Sequence, residues 1–161
     1  MCGIVGYIGN KSAVSVLMVG LTKLEYRGYD SAGVAVIDGN VKLRRTVGKL
    51  RALEKSLHDE PIDGHIGIAH TRWATHGAPN ETNSHPHRDS SDTVYVAHNG
   101  IIENYTELRD ELQKEGIEFR SQTDSEVLPN LIKRAYDTLG ELPLDERLPA
   151  AVRKALDVVR G

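Results

Sequence analysis

A cysteine at the second position, and nowhere else in the 161 residues, is the feature that most constrains this chain. The chain opens Met1-Cys2-Gly3-Ile4-Val5-Gly6, and removal of an initiator methionine is efficient before a small residue. Cys2 then becomes the N-terminal residue. One residue carries both a thiol, nucleophilic once deprotonated, and an α-amine whose ordinary pKa of roughly 7.7–8.0 makes it a base near neutrality. The same logic pairs a threonine hydroxyl with an N-terminal amine. A fold that uses it must hold its own N-terminus inside a site, which is incompatible with a retained leader. The plainer reading of Cys2 is a small apolar residue opening a strand.

The rest of the composition narrows the setting. The length suits one domain, or part of a larger one. Hydrophobic residues make up 39% and charged residues 27%, an ordinary balance for a globular protein. A net charge of −3 and a pI near 6.2 supply no basic footprint for nucleic acid. A lone cysteine forms no internal disulfide, so a reducing, cytoplasmic setting is expected. No apolar run approaches the roughly 20 residues that span a bilayer, and no basic segment followed by a long apolar one marks a signal peptide. Neither nucleic acid nor membrane is expected as a partner.

Periodicity predicts the elements. Residues 3–8 form a short apolar strand, and Gly9-Asn10 ends it. Ser12 is a candidate N-cap for a helix whose Val14, Leu17, Met18, Leu21 and Leu24 recur at helical spacing. Asp38-Gly39-Asn40 joins residues 33–37 and 41–47 as a hairpin. A helix over about residues 49–57 and a strand over 65–71 follow. Residues 72–92 lack periodicity, and a stretch that long inside a domain is usually functional or disordered. Beyond it the pattern predicts a strand at 93–97, a helix capped by Asn104 and Glu107, a short strand at 117–120, and helices over 125–136 and 148–159. Hairpins mixed with paired helices indicate an α+β fold rather than alternating βαβ units.

Four clusters besides Cys2 carry groups able to do chemistry. Tyr26-Arg27-Gly28-Tyr29-Asp30-Ser31-Ala32-Gly33 is a glycine-punctuated loop with one cation and one anion, and can equally be a connector. His70-Thr71-Arg72-Trp73-Ala74-Thr75-His76-Gly77 ends a strand, where Arg72 can hold a carboxylate through two parallel hydrogen bonds. His98-Asn99-Gly100 offers an amide and a backbone N–H suited to an oxyanion, or simply makes a tight turn. In Thr123-Asp124, the carboxylate can meet an ammonium group or cap a helix. Six of the seven histidines fall between His65 and His98, but none stands at a zinc-ligand spacing. Phosphate-binding glycine loops are absent as well.

In this order and at these separations, these clusters together with Asn83-Ser84-His85-Pro86-His87 and the run to Asn104 resemble the glutaminase domain of class II glutamine amidotransferases, the N-terminal-nucleophile type. The resemblance covers residues 1 to about 130 and is strongest toward the branch that aminates fructose 6-phosphate in amino sugar biosynthesis. The phosphoribosyl-pyrophosphate branch looks different, tending toward Val-Arg-Tyr-Ser in the arginine loop and lacking Trp73-Ala74-Thr75-His76. The resemblance implies an N-terminal-nucleophile hydrolase αββα sandwich that acts on glutamine without a cofactor or metal. Cys2 would attack the side-chain amide, Asn99 and Gly100 would stabilise the oxyanion, Arg72 would hold the α-carboxylate and Asp124 the α-ammonium group. Thr75, His76 and Gly77 would line the pocket, while the gating residues would be Trp73, on the ammonia route, and Arg27, in the mobile substrate-linked loop. The family's glutaminase domain runs beyond position 161, so residues 1–161 are expected to be its N-terminal portion, with the sandwich incomplete at the C-terminus. The isomerase part that takes fructose 6-phosphate is expected to be absent from residues 1–161, and the parent is expected to be a homo-oligomer. The alternatives are a truncated, non-catalytic binding module and another class II amidotransferase.

Overall fold

Strands β1 (Gly3–Ile8), β2 (Ser31–Asp38), β3 (Asn40–Val47) and β4 (Ile66–Arg72) pair antiparallel in the order β1-β4-β2-β3. They belong to a computed structural model that describes residues 2–73 and 80–161, with Arg27 described by its backbone alone. Alternation sorts each strand's side chains onto two faces. One face, bearing Val5, Ala32, Val34, Val36 and Ala69, is covered by helices α1 (Ala13–Leu24) and α2 (Leu50–Asp59). Leu17, Leu21, Leu50, Leu53 and Leu57 of those helices complete one apolar core. Each fully buried leucine contributes about 1.5–3 kcal/mol. His70 of β4 and Gly33 of β2, Cα partners in the ladder, turn to the opposite face.

The helical spacing read from residues 14–24 is realised: Leu17 and Leu21 are fully buried, and Ser12 caps α1 by accepting from the Ser15 N–H at 3.2 Å. The hairpin also forms, with Asp38 opposite Asn40 around Gly39, whose φ of 70° lies where a glycine costs nothing.

The chain divides into two compact units, one of Met1–His87 with Val96–Asn99, the other of Arg88–Tyr95 with Gly100–Gly161. The second unit holds helices α3 (Tyr105–Lys114), α4 (Val127–Thr138) and α5 (Leu144–Leu156). Their buried side chains include Leu108, Leu112, Leu131, Ile132, Ala151 and Ala155. Strands β5 (His87–Arg88) and β6 (Tyr95–Val96) make a two-stranded sheet. No described helix is long and apolar enough to cross a membrane.

Four expectations are corrected in this second half. The strand expected over 93–97 shrinks to β6, because the N–H groups of Thr93 and Val94 donate to the Asp89 carboxylate at 2.7 and 2.6 Å instead of to a ladder. Residues 117–120 are not a strand: the Arg120 N–H donates to Glu126, and its guanidinium donates to the carbonyls of Asp89 and Ser90. Asn104 makes no side-chain capping bond; its amide donates to the Val158 carbonyl at 2.9 Å and accepts from the Arg160 N–H at 2.9 Å. Helix α5 begins at Leu144, ahead of the expected start at 148, and carries Pro149 in its second turn. A proline invites reading as a helix start because its missing N–H is harmless there; here Asp145 forgoes its i+4 donor instead.

Candidate functional site

The β1–β4 register sets Gly3 opposite Thr71, which brings the residue before β1 alongside the end of β4. Cys2 therefore lies against Trp73, the first residue past β4. The Trp73 N–H donates to the Cys2 sulfur at 3.1 Å, and the thiol points back to the Trp73 carbonyl at 3.7 Å. From far along the chain, Asn99 donates through Nδ2 to the Cys2 carbonyl at 3.1 Å. One N–H donor thus meets a half-exposed thiol and a second donor group meets the carbonyl of the same residue; the amide's other N–H bond is free to stabilise negative charge that develops nearby.

The loop before β2 holds the other side of this strand end. The Asp30 N–H donates to the Arg72 carbonyl at 3.0 Å. Gly28 packs so closely that a Cβ there would sit 2.9 Å from the Arg72 carbonyl carbon and 3.1 Å from the Trp73 nitrogen. Glycine is required at that position by the approach of two backbones. Tyr29 meets the Trp73 indole edge-on, with ring centroids 5.2 Å apart. Arg72 itself is buried, only 4% exposed, while Trp73 is 44% exposed.

Beneath the thiol, on the sheet face away from the helices, lies a column of histidines. Gly33 makes room for it: a Cβ would lie 2.1 Å from the His85 carbonyl oxygen. Arg45 fastens the same segment by donating to the Ser84 carbonyl at 3.1 Å. The His85 ring stacks on His70, centroids 4.3 Å apart and 18° from parallel, and meets His87 edge-on at 4.4 Å. His70 Nε2 lies 2.8 Å from Asn99 Oδ1. Burial pushes the pKa of His70 down to about 4, against the pull of the Asn99 contact and the His98 backbone, and Arg72 lowers it further. Burial, and then the charge of Arg45, lowers His87 to about 3; burial also holds His85 well below its ordinary value. All three rings are neutral at pH 7. Among the described residues no three His, Cys, Asp or Glu side chains group as metal ligands.

Of the residues singled out in the sequence, Cys2, Arg72, Trp73 and Asn99 fall in the first unit, with the contacts above. Gly100 and Asp124 belong to the second. There Asp124 is 5% exposed, and its carboxylate accepts from the Ile102 N–H and the Ser125 N–H, each at 2.8 Å. Thr75, His76, Gly77 and the side chain of Arg27 lie outside the described residues. Sequence reasoning missed the contact of His70 with Asn99 and the packing of Gly28. Strand parity placed His70 opposite the core-facing Ala69 and Thr71, but nothing local named a partner 29 residues away.

The family model for the glutamine amidotransferase domain matches residues 54–144. The glutamine–fructose-6-phosphate aminotransferase (isomerizing) of Clostridium perfringens is 58% identical over 137 residues, which are 84% of this chain and 22% of that protein. The enzyme of that name from Thermosynechococcus vestitus is 54% identical over 162 residues, covering 100% of this chain and 25% of its own length. The chain therefore spans about a quarter of the curated relatives it matches. Among solved structures, glutamine phosphoribosylpyrophosphate amidotransferase from B. subtilis, complexed with ADP and GMP, superposes with a TM-score of 0.78 at 27% identity, covering 100% of this chain and 33% of that one. A structure of the allosteric regulatory enzyme of purine biosynthesis gives a TM-score of 0.81, also at 27% identity, over 100% of this chain and 34% of that one. The fold is that of N-terminal-nucleophile amidotransferase domains, and the chain belongs to the glutamine amidotransferase domain family.

Proposed function

We propose that this chain is the N-terminal portion of a glutaminase domain, that it hydrolyses glutamine to glutamate and ammonia, and that in its parent the ammonia converts fructose 6-phosphate to glucosamine 6-phosphate. The observation that carries the reading is the convergence on Cys2 of Trp73, whose N–H donates to the chain's only thiol, and Asn99, whose amide donates to the Cys2 carbonyl. Once Met1 is removed, the α-amine of Cys2 takes the thiol proton as sulfur attacks the side-chain carbonyl carbon of glutamine. The carbonyl oxygen becomes an oxyanion, for which Asn99 and the Gly100 N–H are the assigned donors. Collapse breaks the C–N bond; the amine returns the proton, ammonia leaves, and a γ-glutamyl thioester remains. Water, deprotonated by the same amine, attacks the thioester and releases glutamate and the thiol.

Recognition of the two charged groups on the substrate's α-carbon falls to one cation and one anion. Arg72 is assigned the carboxylate and Asp124 the ammonium group, with Thr75, His76 and Gly77 as lining residues and Trp73 and Arg27 as gates. The identity above 50% to fructose-6-phosphate aminotransferases, against 27% to the phosphoribosylpyrophosphate enzyme, favours the first branch. A cytoplasmic setting fits the reduced thiol the mechanism needs. The parent is proposed to be a homo-oligomer without nucleic-acid or membrane partners.

The test is glutamate and ammonia release by the chain after mass spectrometry establishes loss of Met1. Cys2→Ala is expected to abolish turnover and to prevent labelling by a glutamine-analogue electrophile that glutamine protects against. Equal labelling of Cys2→Ala would defeat the nucleophile assignment.

A further inference from the structure

We propose that His70, as a neutral imidazole protonated on Nε2, is the positioning residue that fixes which way the Asn99 amide faces. The inference rests on the catalytic reading of Cys2 and Asn99. The two ends of a primary amide have nearly the same shape, and only their partners decide which end is which. One partner of Asn99 is the Cys2 carbonyl, at 3.1 Å, which can only accept. The end facing it must therefore be the NH2 group. The opposite end, Oδ1, then faces His70 Nε2 at 2.8 Å, and that nitrogen has to donate. An unprotonated Nε2 would set two lone pairs against each other or turn the amide, which would take its donors away from Cys2.

The surroundings hold the imidazole in this role. His70 is only 1% exposed, and the stacked His85 ring fixes its plane. His85 in turn accepts from the His98 N–H through Nδ1 at 3.3 Å, so its own proton is on Nε2. The titratable and charged groups facing His70 are Arg72, His85, His87 and His98, and each disfavours a positive charge in the column. A primary amide has two N–H bonds. With one committed to the Cys2 carbonyl, the other is the donor assigned to the oxyanion, and its direction is inherited from His70.

Two measurements on the full chain test this. The first needs no turnover: ring ¹⁵N shifts of His70 between pH 6 and 8 are expected to show a protonated Nε2 and a bare Nδ1. The opposite tautomer or an imidazolium overturns the proposal. The second compares His70→Leu, which lacks a donor, with His70→Gln, whose amide can donate from nearly the same place. His70→Leu is expected to lower kcat for glutamine hydrolysis about 100-fold, the scale of losing one oxyanion donor, with KM within about threefold. His70→Gln is expected to recover most of that loss. Alkylation of Cys2 by a small, non-glutamine thiol reagent should proceed at the wild-type rate in both variants, whereas an unfolded site would react faster. Equal losses in the two variants overturn the proposal. A wild-type chain with the assigned tautomer but no turnover defeats the glutaminase reading and leaves the positioning of Asn99 supported.

Discussion

The two units are held together by different chemistry. In the first, a sheet face and two helices bury leucines, valines and alanines in one apolar cluster, and the site is set against neutral histidines on the other face. In the second, carboxylates organise the loops. Asp89 gathers the N–H groups of Ser91, Thr93 and Val94, Glu126 those of Arg120 and Ser121, and Asp124 those of Ile102 and Ser125. An apolar core tolerates protons and fails on lost volume. A carboxylate clamp fails on protonation, and so does a column of uncharged imidazoles, but the two fail at different pH. The contrast teaches that the site and the helical half respond separately to the same insult.

The largest effect should come from volume. Leu17→Ala removes a side chain with no exposed area from the first unit and is expected to cost about 4 kcal/mol, measured by denaturant unfolding. A loss below 1 kcal/mol would mean the apolar cluster is not what holds this unit.

Acid should come next. The folded-state pKa values of His70, His85 and His87 are depressed below 6.5. Above pH about 6.5 the folded and unfolded rings are both neutral, and the contribution is complete. As pH falls toward 4 the unfolded chain takes up protons that the folded chain refuses, and His70 alone forfeits roughly 3 kcal/mol. Asp89 behaves differently. Burial pushes its pKa up, but the Ser91 hydroxyl and the N–H groups of Val94, Thr93 and Ser91 prevail and hold it below 3.8. Its contribution survives until the pH drops below that ordinary carboxylate value. Amide exchange should therefore lose protection in β4 between pH about 6.5 and 4, while Thr93 and Val94 remain protected. Simultaneous loss would erase the distinction between the units.

The smallest effect sharpens the comparison inside the first unit. Gly28→Ala pushes a methyl group against the Arg72–Trp73 peptide, away from the apolar core. It is expected to cost about 1–2 kcal/mol of stability yet to lower turnover at least about tenfold, because the donor to the Cys2 sulfur moves. Unaltered kcat would show that the Trp73 N–H is not needed where it stands.

Local pattern carried the first unit well. Strand β1, helix α1 with its Ser12 cap, and the Gly39 hairpin all follow from spacing, capping and turn chemistry within a dozen residues. The second unit resisted because its backbone partners are side chains. Nothing in Thr-Val-Tyr-Val-Ala says that Asp89 will take two of its N–H groups, nor in Asn104 that its amide will reach Val158 and Arg160. The site divided the same way. Cys2, Arg72 and Asn99 could be chosen from residue type and motif, whereas the support of Asn99 by His70, and of His70 by His85, is a matter of strand parity and a glycine gap at Gly33.

Trp73 is the only tryptophan in the chain, and its backbone N–H rests on the sulfur of Cys2. Its indole is part-exposed and edge-on to Tyr29. The whole red-edge emission of the molecule therefore originates from the residue hydrogen-bonded to the Cys2 sulfur. The chain carries its own optical probe at the proposed nucleophile, so occupancy of that sulfur can be followed in real time without a label.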